Sequence, residues 1–201
     1  LDATLDMADL LETKAWTLPS SSADDLNPRG IPYWLSFLEN ADTGNGGFDA
    51  MTVRYTGGGV STTKGGIDAN VTANAKWKNW AFVRTAINAD FVKNFRRAFH
   101  ATKFISPVLA KDLDKGPSSD FRIYMSLAEL TDFETLTTLQ NDNLGRDLDP
   151  FHGATTFRRI PVIYTPQIDS ATFAPIYAIN HKKFYPMVLE GDWMREEGPI
   201  S

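Results

Sequence analysis

The sequence contains no cysteine among its 201 residues. Disulfides, thiolate metal sites, iron–sulfur clusters and cysteine nucleophiles are therefore excluded, and the absence fits a reducing compartment. Long apolar runs are missing too. Uncharged apolar stretches such as IPYWLSFL at residues 31–38 have about eight residues, whereas a membrane-spanning helix needs about 20. We therefore predict a protein without membrane contact.

The chain opens on Leu1-Asp2 without an initiating Met, and it carries neither a signal-peptide pattern nor a lipidation motif. We expect it to be an excerpt or a processed product. Its length predicts one domain, or one domain with an extension. Its apolar content is ordinary for a globular protein, so the low-hydrophobicity signature of disorder is absent.

The motifs that could signal catalysis all lack the context they need. Asp42-Thr43-Gly44 matches the aspartic protease tripeptide, but it occurs once and follows polar residues, whereas that site needs two carboxylates. Residues 141–149 resemble a calcium loop. Aligning Gly145 with the invariant sixth position, however, puts Gln140 first, Leu144 fifth and Phe151 twelfth, so three positions for oxygen ligands fail. The glycine clusters lack the Lys-Ser/Thr of a phosphate loop, and no GxSxG elbow occurs.

The three histidines give no metal signal either. His100, His152 and His181 lie far apart, without HxH or HExxH spacing. We therefore predict no catalytic, cofactor-binding or metal-binding residue and no cofactor, and we expect the protein not to be an enzyme.

Charge is distributed unevenly along the chain. Residues 1–75 have 4 basic and 10 acidic residues, residues 76–111 have 8 and 1, and residues 112–201 have 8 and 14. A basic segment thus lies between two acidic ones. Such a segment is typical of a surface that binds an acidic surface on another copy or binds nucleic acid. It is also typical of a solvated amphipathic helix with no partner.

The apolar pattern predicts a mixed α+β chain. Residues 5–18 form an amphipathic segment and residues 31–38 a strand. Residues 40–75 contain eight glycines and predict a long protruding hairpin, with a strand near residues 51–55 and its return strand within residues 76–87.

Helices and strands alternate in the rest of the chain. Phe91, Phe95, Ala98 and Phe99 form an apolar stripe on a helix over residues 90–103, capped by Asn88 or Asp90. Ser126 and Glu129 form a capping box for a helix through Gln140, which Asn143 and Gly145 end. Strands are predicted over residues 121–125, 157–164, 176–180 and 184–190, the last two joined by a turn at residues 181–183.

Eight strings, in this order, resemble a family of tailed-bacteriophage major capsid proteins. They cover residues 27–196 in patches: NPRGIPYWL, GGID at the end of the glycine-rich window, KWKNWAF, FRRAF with KFISP, LQNDNLG, FRRIPVIYTP, PIYAIN and GDWMRE. Each string is short, and their shared order makes the resemblance specific.

The resemblance implies the capsid-shell fold of tailed phages and herpesviruses. Its parts would be an N-terminal arm and linker (1–30), an extended loop region (31–87) with a glycine-rich tip (40–75), the spine helix and linker of the peripheral domain (88–120), and the axial domain with the return toward the peripheral domain (121–201). The spine helix is shorter than is usual in this family, and the last C-terminal strand is expected to be missing.

The resemblance also implies a function. Copies would self-assemble into hexamers and pentamers of an icosahedral virion capsid that encloses double-stranded phage DNA and is built in the host bacterial cytoplasm. Partners would be other copies of the chain, scaffold or decoration proteins, and packaged DNA bound without sequence specificity. Some shells of this fold crosslink a loop lysine to a neighbour, and Lys64 lies in the loop, but no acid or Asn partner can be assigned to it. The alternatives are an encapsulin-like cellular compartment shell and an enzyme with a glycine-rich lid.

Overall fold

A computed structural model describes residues 2–24, 27–36, 46–49, 53–57, 59–104, 120–140, 155–158, 160–169 and 174–187. Over these ranges the protein is a mixture of helix and sheet, which confirms the α+β class. The helices are α1 (Asp2–Ala15), α2 (Ile31–Trp34), α3 (Ala89–Ala101), α4 (Leu127–Gln140) and α5 (Pro166–Asp169). The strands are β1 (Gly47–Asp49), β2 (Val53–Arg54), β3 (Val60–Ser61), β4 (Thr63–Lys64), β5 (Ile67–Asp68), β6 (Asn79–Ala81), β7 (Phe121–Met125), β8 (Thr156–Phe157), β9 (Ile160–Tyr164) and β10 (Tyr177–Asn180), and a 3₁₀ helix covers Thr72–Trp77.

A four-stranded sheet in the order β10-β7-β9-β8 organises the body. Strands β7 and β9 are parallel, with Ile123 opposite Val162, and α4 makes the crossover that parallel pairing requires. Strand β10 is antiparallel to β7. Phe121, Ile123 and Met125 are buried on one face of β7, and Tyr124 faces the other side. Both faces are therefore covered, as is usual around a parallel pair.

Helix α3 packs its aromatic stripe on the first face of this sheet. The Asn88 side chain accepts a hydrogen bond from the Phe91 amide at 3.0 Å, so Asn88 is the N-cap. The helix ends at Ala101, two residues earlier than predicted, because Lys103 takes a left-handed φ of 56°. The predicted stripe is confirmed as buried: Phe91, Phe95, Ala98 and Phe99.

The main core forms where α3 meets the sheet. The ring centroids of Phe95 and Phe99 are 4.6 Å apart, and those of Phe95 and Phe157 are 5.1 Å apart. The cluster continues through Phe104, Phe121, Ile123, Met125, Phe133, Ile160 and Val162. Helix α4 contributes Phe133 to this same cluster.

The other face of the sheet holds the chain that follows α1. The Trp16 ring lies 5.2 Å from that of Tyr124 and 5.6 Å from that of Tyr177. Gly30 is needed here, since a Cβ at this position would come within 2.5 Å of the Thr17 carbonyl oxygen. The end of α1 and the start of α2 are thereby held together on this face.

Helix α4 has a more complex N-terminus than a capping box. The Ser126 hydroxyl accepts a hydrogen bond from the Glu129 amide at 3.4 Å, as predicted. The Glu129 carboxylate instead forms an ion pair of 2.8 Å with Arg84. Asp169 of α5 accepts a hydrogen bond from the Leu127 amide at 2.9 Å. A carboxylate distant in sequence thus satisfies one of the free amides of the first turn.

The helix reaches Gln140 as predicted, and its predicted stop at Asn143 and Gly145 lies outside the described residues.

Three strand predictions need correction. Residues 31–38 begin with helix α2, because Pro32 occupies the first turn, where its missing N–H costs no hydrogen bond. The predicted strand over residues 157–164 is two strands, β8 and β9, that pair antiparallel, since Arg158 has a φ of 52° and turns the chain. The turn at residues 181–183 is confirmed. Residues 184–187 beyond it form no strand, and the rest of that predicted strand lies outside the described residues.

We predict that Phe95→Ala lowers the free energy of unfolding by roughly 3–5 kcal/mol, because it leaves a cavity in the main core. Chemical denaturation measures this loss. Arg96→Ala, on the exposed side of the same helix, is the control and should change stability by less than about 0.5 kcal/mol. Equal effects of the two substitutions would contradict the placement of α3.

Candidate assembly surface

Strands β1 and β6 define the base of a large loop. They pair antiparallel, with Gly47 opposite Ala81 and Asp49 opposite Asn79. We call residues 46–81 the loop region. Two short hairpins, β2–β3 and β4–β5, lie within it. The single long hairpin predicted for residues 40–75 is therefore a set of short ladders, within the part of the loop that the structure describes.

Glycine has a definite role at one turn of the loop region. Gly65 and Gly66 join β4 to β5 with φ values of 55° and 78°. Positive φ at both central residues is the pattern of a two-residue hairpin turn whose twist matches the flanking strands. The predicted strand near residues 51–55 corresponds to β2, but its partner is β3 rather than a strand within residues 76–87. The strand found in residues 76–87 is β6, which starts after the 3₁₀ helix and pairs with β1.

The loop region packs against α2 rather than against the main core. Val53 is fully buried. The ring centroids of Tyr55 and of Tyr33 in α2 are 6.2 Å apart. A Cβ at Gly65 would touch the ring of Trp34. Neither buried cluster of the sheet, as far as the structure describes them, includes a residue from 46–75. The loop region thus has its own small core at the edge of the body.

Lys64 anchors the loop region to α2. Its ammonium donates hydrogen bonds to the Ser36 hydroxyl at 2.6 Å and to the Trp34 carbonyl at 3.2 Å. The Asn79 side-chain amide donates to the same carbonyl at 2.9 Å. Burial lowers the pKa of Lys64 to about 8. The lysine noted in the sequence as a loop cation therefore points into the subunit, and its partners lie about 30 residues upstream, where no local pattern indicated them.

Exposed apolar side chains concentrate in two places. Thirteen large apolar side chains are exposed in the described part of the chain, and nine of them lie on α1 or the loop region. These are Leu5, Met7, Leu10 and Leu11 on α1, and Phe48, Val60, Ile67, Val71 and Trp77 in the loop region. Every residue from 5 to 13 of α1 is exposed. Clustered exposed apolar groups of this kind mark interaction surfaces.

The basic segment found in the sequence is largely an exposed face of α3. Lys93, Arg96, Arg97, His100 and Lys103 are all exposed. The acidic side chains Asp6, Asp9 and Glu12 are exposed on α1. Two helices of opposite charge therefore stand on the surface of one subunit.

A groove of about 510 Å³ lies between α3, β6 and the segment that enters β10. Side chains of Phe48, Trp80, Phe91, Phe95 and Ala101 contribute to its apolar lining. Its volume is in the range of small-molecule sites, but such sites also need convergent polar groups. Arg84 in its wall is engaged by Glu129 at 2.8 Å and by the Ala174 carbonyl at 2.7 Å.

The residues tested as catalytic or metal motifs do not come together where they can be described. Residues 42–44 and 141–154, with His152, lie outside the described residues. His100 is on α3, and His181 contacts the Tyr124 hydroxyl through Nε2 at 2.7 Å, where burial lowers its pKa. Across the described ranges, no group of three His, Asp or Glu residues could hold a metal ion. The helices in these ranges are too short or too polar to cross a bilayer.

Comparisons of the chain with protein-family models, with curated proteins and with solved structures gave no match.

We predict that the stability of the wild-type protein rises with pH between about 8 and 10.5, relative to Lys64→Met. The folded state binds fewer protons than the unfolded state in this window, because the unfolded lysine has a pKa near 10.4. Solvent screening limits the gain to roughly 1–2 kcal/mol. Urea denaturation at a series of pH values measures it. Lys93→Met, at an exposed position, is the control and should follow the wild-type profile, whereas parallel profiles for wild type and Lys64→Met would contradict the burial of this ammonium.

Proposed function

We propose that this protein is a structural shell subunit of the tailed-phage major capsid type. Copies assemble into hexamers and pentamers of an icosahedral shell that encloses double-stranded DNA, and the chain has no catalytic role. The observation that carries the proposal is the concentration of exposed apolar side chains on α1 and the loop region. The ordered strings between residues 27 and 196 support it independently.

Subunit contacts explain why these side chains are exposed. Val60 is 65% exposed and Leu5 is 62% exposed, and each loses contact with water when a neighbouring copy covers it. Burial of apolar area is favourable by about 25 cal/mol per Å². A patch on one copy that meets a different patch on the next copy is a heterologous contact, which closes into rings when the rotation is right. Capsomers are such rings.

The proposal assigns each element to one of the parts that the family resemblance implies. In this proposal α1 belongs to the arm, the loop region is the extended loop, α3 is the spine helix, and the sheet of β7, β9 and β10 belongs to the axial domain. The loop region suits its role because the Lys64 anchor holds its base to α2 while Val60 and Ile67 face outward. A neighbour would meet an ordered surface.

Charge supports the same arrangement. The exposed cations of α3 and the exposed carboxylates of α1 let copies attract one another in a fixed orientation. Cations left free on the inside of a shell would neutralise phosphates of packaged DNA without reading its sequence. An encapsulin-like compartment shell would use the same subunit surfaces, and the contents of purified particles, nucleic acid or protein, distinguish the two.

We predict that Val60→Lys with Ile67→Lys abolishes assembly and leaves the fold intact, because both side chains are exposed and both would place a charge in the subunit contact. Negative-stain microscopy and light scattering of the full-length protein should show rings or shells for wild type and none for the variant. Circular dichroism should be the same for both.

Leu127→Glu is the matched control. Leu127 is 55% exposed and belongs to α4 rather than to α1 or the loop region, and Glu is favourable in the first turn of a helix. This control should assemble like wild type. A wild-type protein that stays monomeric at all concentrations, or a double variant that still builds shells, would refute the proposed role of the loop region.

A further inference from the structure

A buried serine and a buried lysine contact each other where α2 meets the loop region. The Lys64 ammonium nitrogen and the Ser36 hydroxyl oxygen are 2.6 Å apart, and the two residues are 2% and 6% exposed. The ammonium also donates to the Trp34 carbonyl at 3.2 Å. Within the described part of the chain no carboxylate pairs with Lys64. The charge of this lysine therefore has only neutral partners there.

Both hydrogen bonds survive the loss of the Lys64 proton. A neutral amine keeps two N–H donors and gains a lone pair, so it still donates to the Trp34 carbonyl while it accepts the O–H of Ser36. Burial lowers the pKa of Lys64 to about 8, so part of the lysine is neutral just above neutral pH. In that state the serine hydroxyl is hydrogen-bonded to a base, which is the arrangement that activates serine nucleophiles.

The groove gives a small molecule access to this serine. Ser36 is one of the residues that line the space of about 510 Å³. The floor of the groove is buried in the subunit's own core through Phe95 and Phe99, and the lining extends to Leu35 and Tyr177 on the Trp16 side. A deep apolar space of this volume suits a small molecule with an apolar group.

The lining also contains a hydrogen-bond donor without a partner. The indole N–H of Trp80 is buried and contacts no acceptor among the described residues. Asn79, whose side-chain amide donates to the Trp34 carbonyl at 2.9 Å, is next to it in the lining. A buried N–H without a partner is unfavourable, so it favours a ligand that brings an acceptor oxygen. A carboxylic ester combines such an oxygen with an apolar chain.

We propose that Ser36 is a modification site that is acylated by a small carboxylic ester with an apolar acyl chain. The Ser36 Oγ forms a bond to the acyl carbon, and the bond from that carbon to the leaving-group oxygen breaks. Lys64 Nζ takes the Oγ proton and passes it to the departing oxygen, so no oxidant or reductant is needed. The reaction occurs once per chain, because the acyl chain fills the groove and shields the new ester from water. It is therefore compatible with a structural subunit and independent of assembly.

The probe is p-nitrophenyl butyrate, which has a short apolar acyl group and a coloured leaving group. The full-length protein should release one equivalent of nitrophenol quickly and then stop. Intact mass spectrometry and peptide mapping should place a single butyryl group on Ser36. No adduct on Ser36, or an adduct that is spread over many serines and lysines at short times, would overturn the inference.

Variants separate the role of Lys64 as a base from its role as an anchor. Ser36→Ala should abolish the fast release, and Lys64→Met should slow it by about 100-fold or more, as expected when a general base is lost. Lys64→Arg keeps a cation at the position but supplies no base at neutral pH, so it should be as slow as Lys64→Met. Circular dichroism should be the same for all of them. Wild-type rates in Lys64→Arg would overturn the role of Lys64.

The pH profile gives a second readout. The acylation rate of the wild type should rise with pH and level off above the pKa of Lys64, near 8, whereas Lys64→Arg should lack this step. The other titratable side chains of the lining are Lys78, Arg84, Lys103 and Tyr177. Arg84 keeps its charge throughout, and burial raises the pKa of Tyr177. Lys78→Met and Lys103→Met are the matched controls and should keep the wild-type profile; loss of the step in either would assign it to that lysine instead and overturn the role of Lys64.

The outcomes separate this inference from the proposed function. Acylation of Ser36 in a protein that forms no shells would support the inference and overturn the shell function. Shells built by a protein that is not acylated on Ser36 would do the reverse. Release of nitrophenol that continues beyond one equivalent and is lost in Ser36→Ala would overturn both the single modification and the absence of a catalytic role.

Discussion

The packing of the α3 phenylalanines on the β7–β9 sheet is the contact on which the rest of the structure depends. Phe95 and Phe99 meet Phe157 within 5.4 Å between ring centroids, and Phe133 of α4 joins the same cluster. This contact fixes the side of the sheet on which α3 lies. It therefore also fixes the opposite face for Trp16 and α2, and it places the exposed cations of α3 on the outer surface.

The loop region is organised by a different principle. It has little apolar core, so polar bonds to α2 position it. Lys64 and Asn79 both donate to the Trp34 carbonyl, and Lys64 loses hydration for this contact. Burying an ammonium without a carboxylate is unfavourable, and the lowered pKa expresses that cost. An anchored base together with an exposed apolar outer side fits a segment that gains most of its contacts from a neighbour.

In the proposed assembly, the distribution of surface groups determines how copies recognise one another. Exposed carboxylates and exposed apolar side chains lie on α1, while exposed cations lie on α3. Attraction between unlike surfaces on the same chain favours serial over pairwise association, because a copy that uses one surface still offers the other. The proposed closed shell of many equal subunits needs such valency.

Local patterns in the sequence were sufficient for the elements whose geometry is set by neighbouring residues. The stripe from Phe91 to Phe99, strand β7 and the start of α4 at Ser126 follow from periodicity and capping. The absence of disulfides follows from the absence of cysteine. Tertiary structure alone decided that Glu129 pairs with Arg84, that Asp169 caps Leu127, and that Lys64 points inward. The partners in the Asp169 and Lys64 contacts are 42 and 28 residues apart. The periodicity of apolar residues shows which face of a helix or strand is apolar. It does not show which distant group that face, or the end of the helix or strand, will contact, because this depends on the angles and positions at which the elements pack.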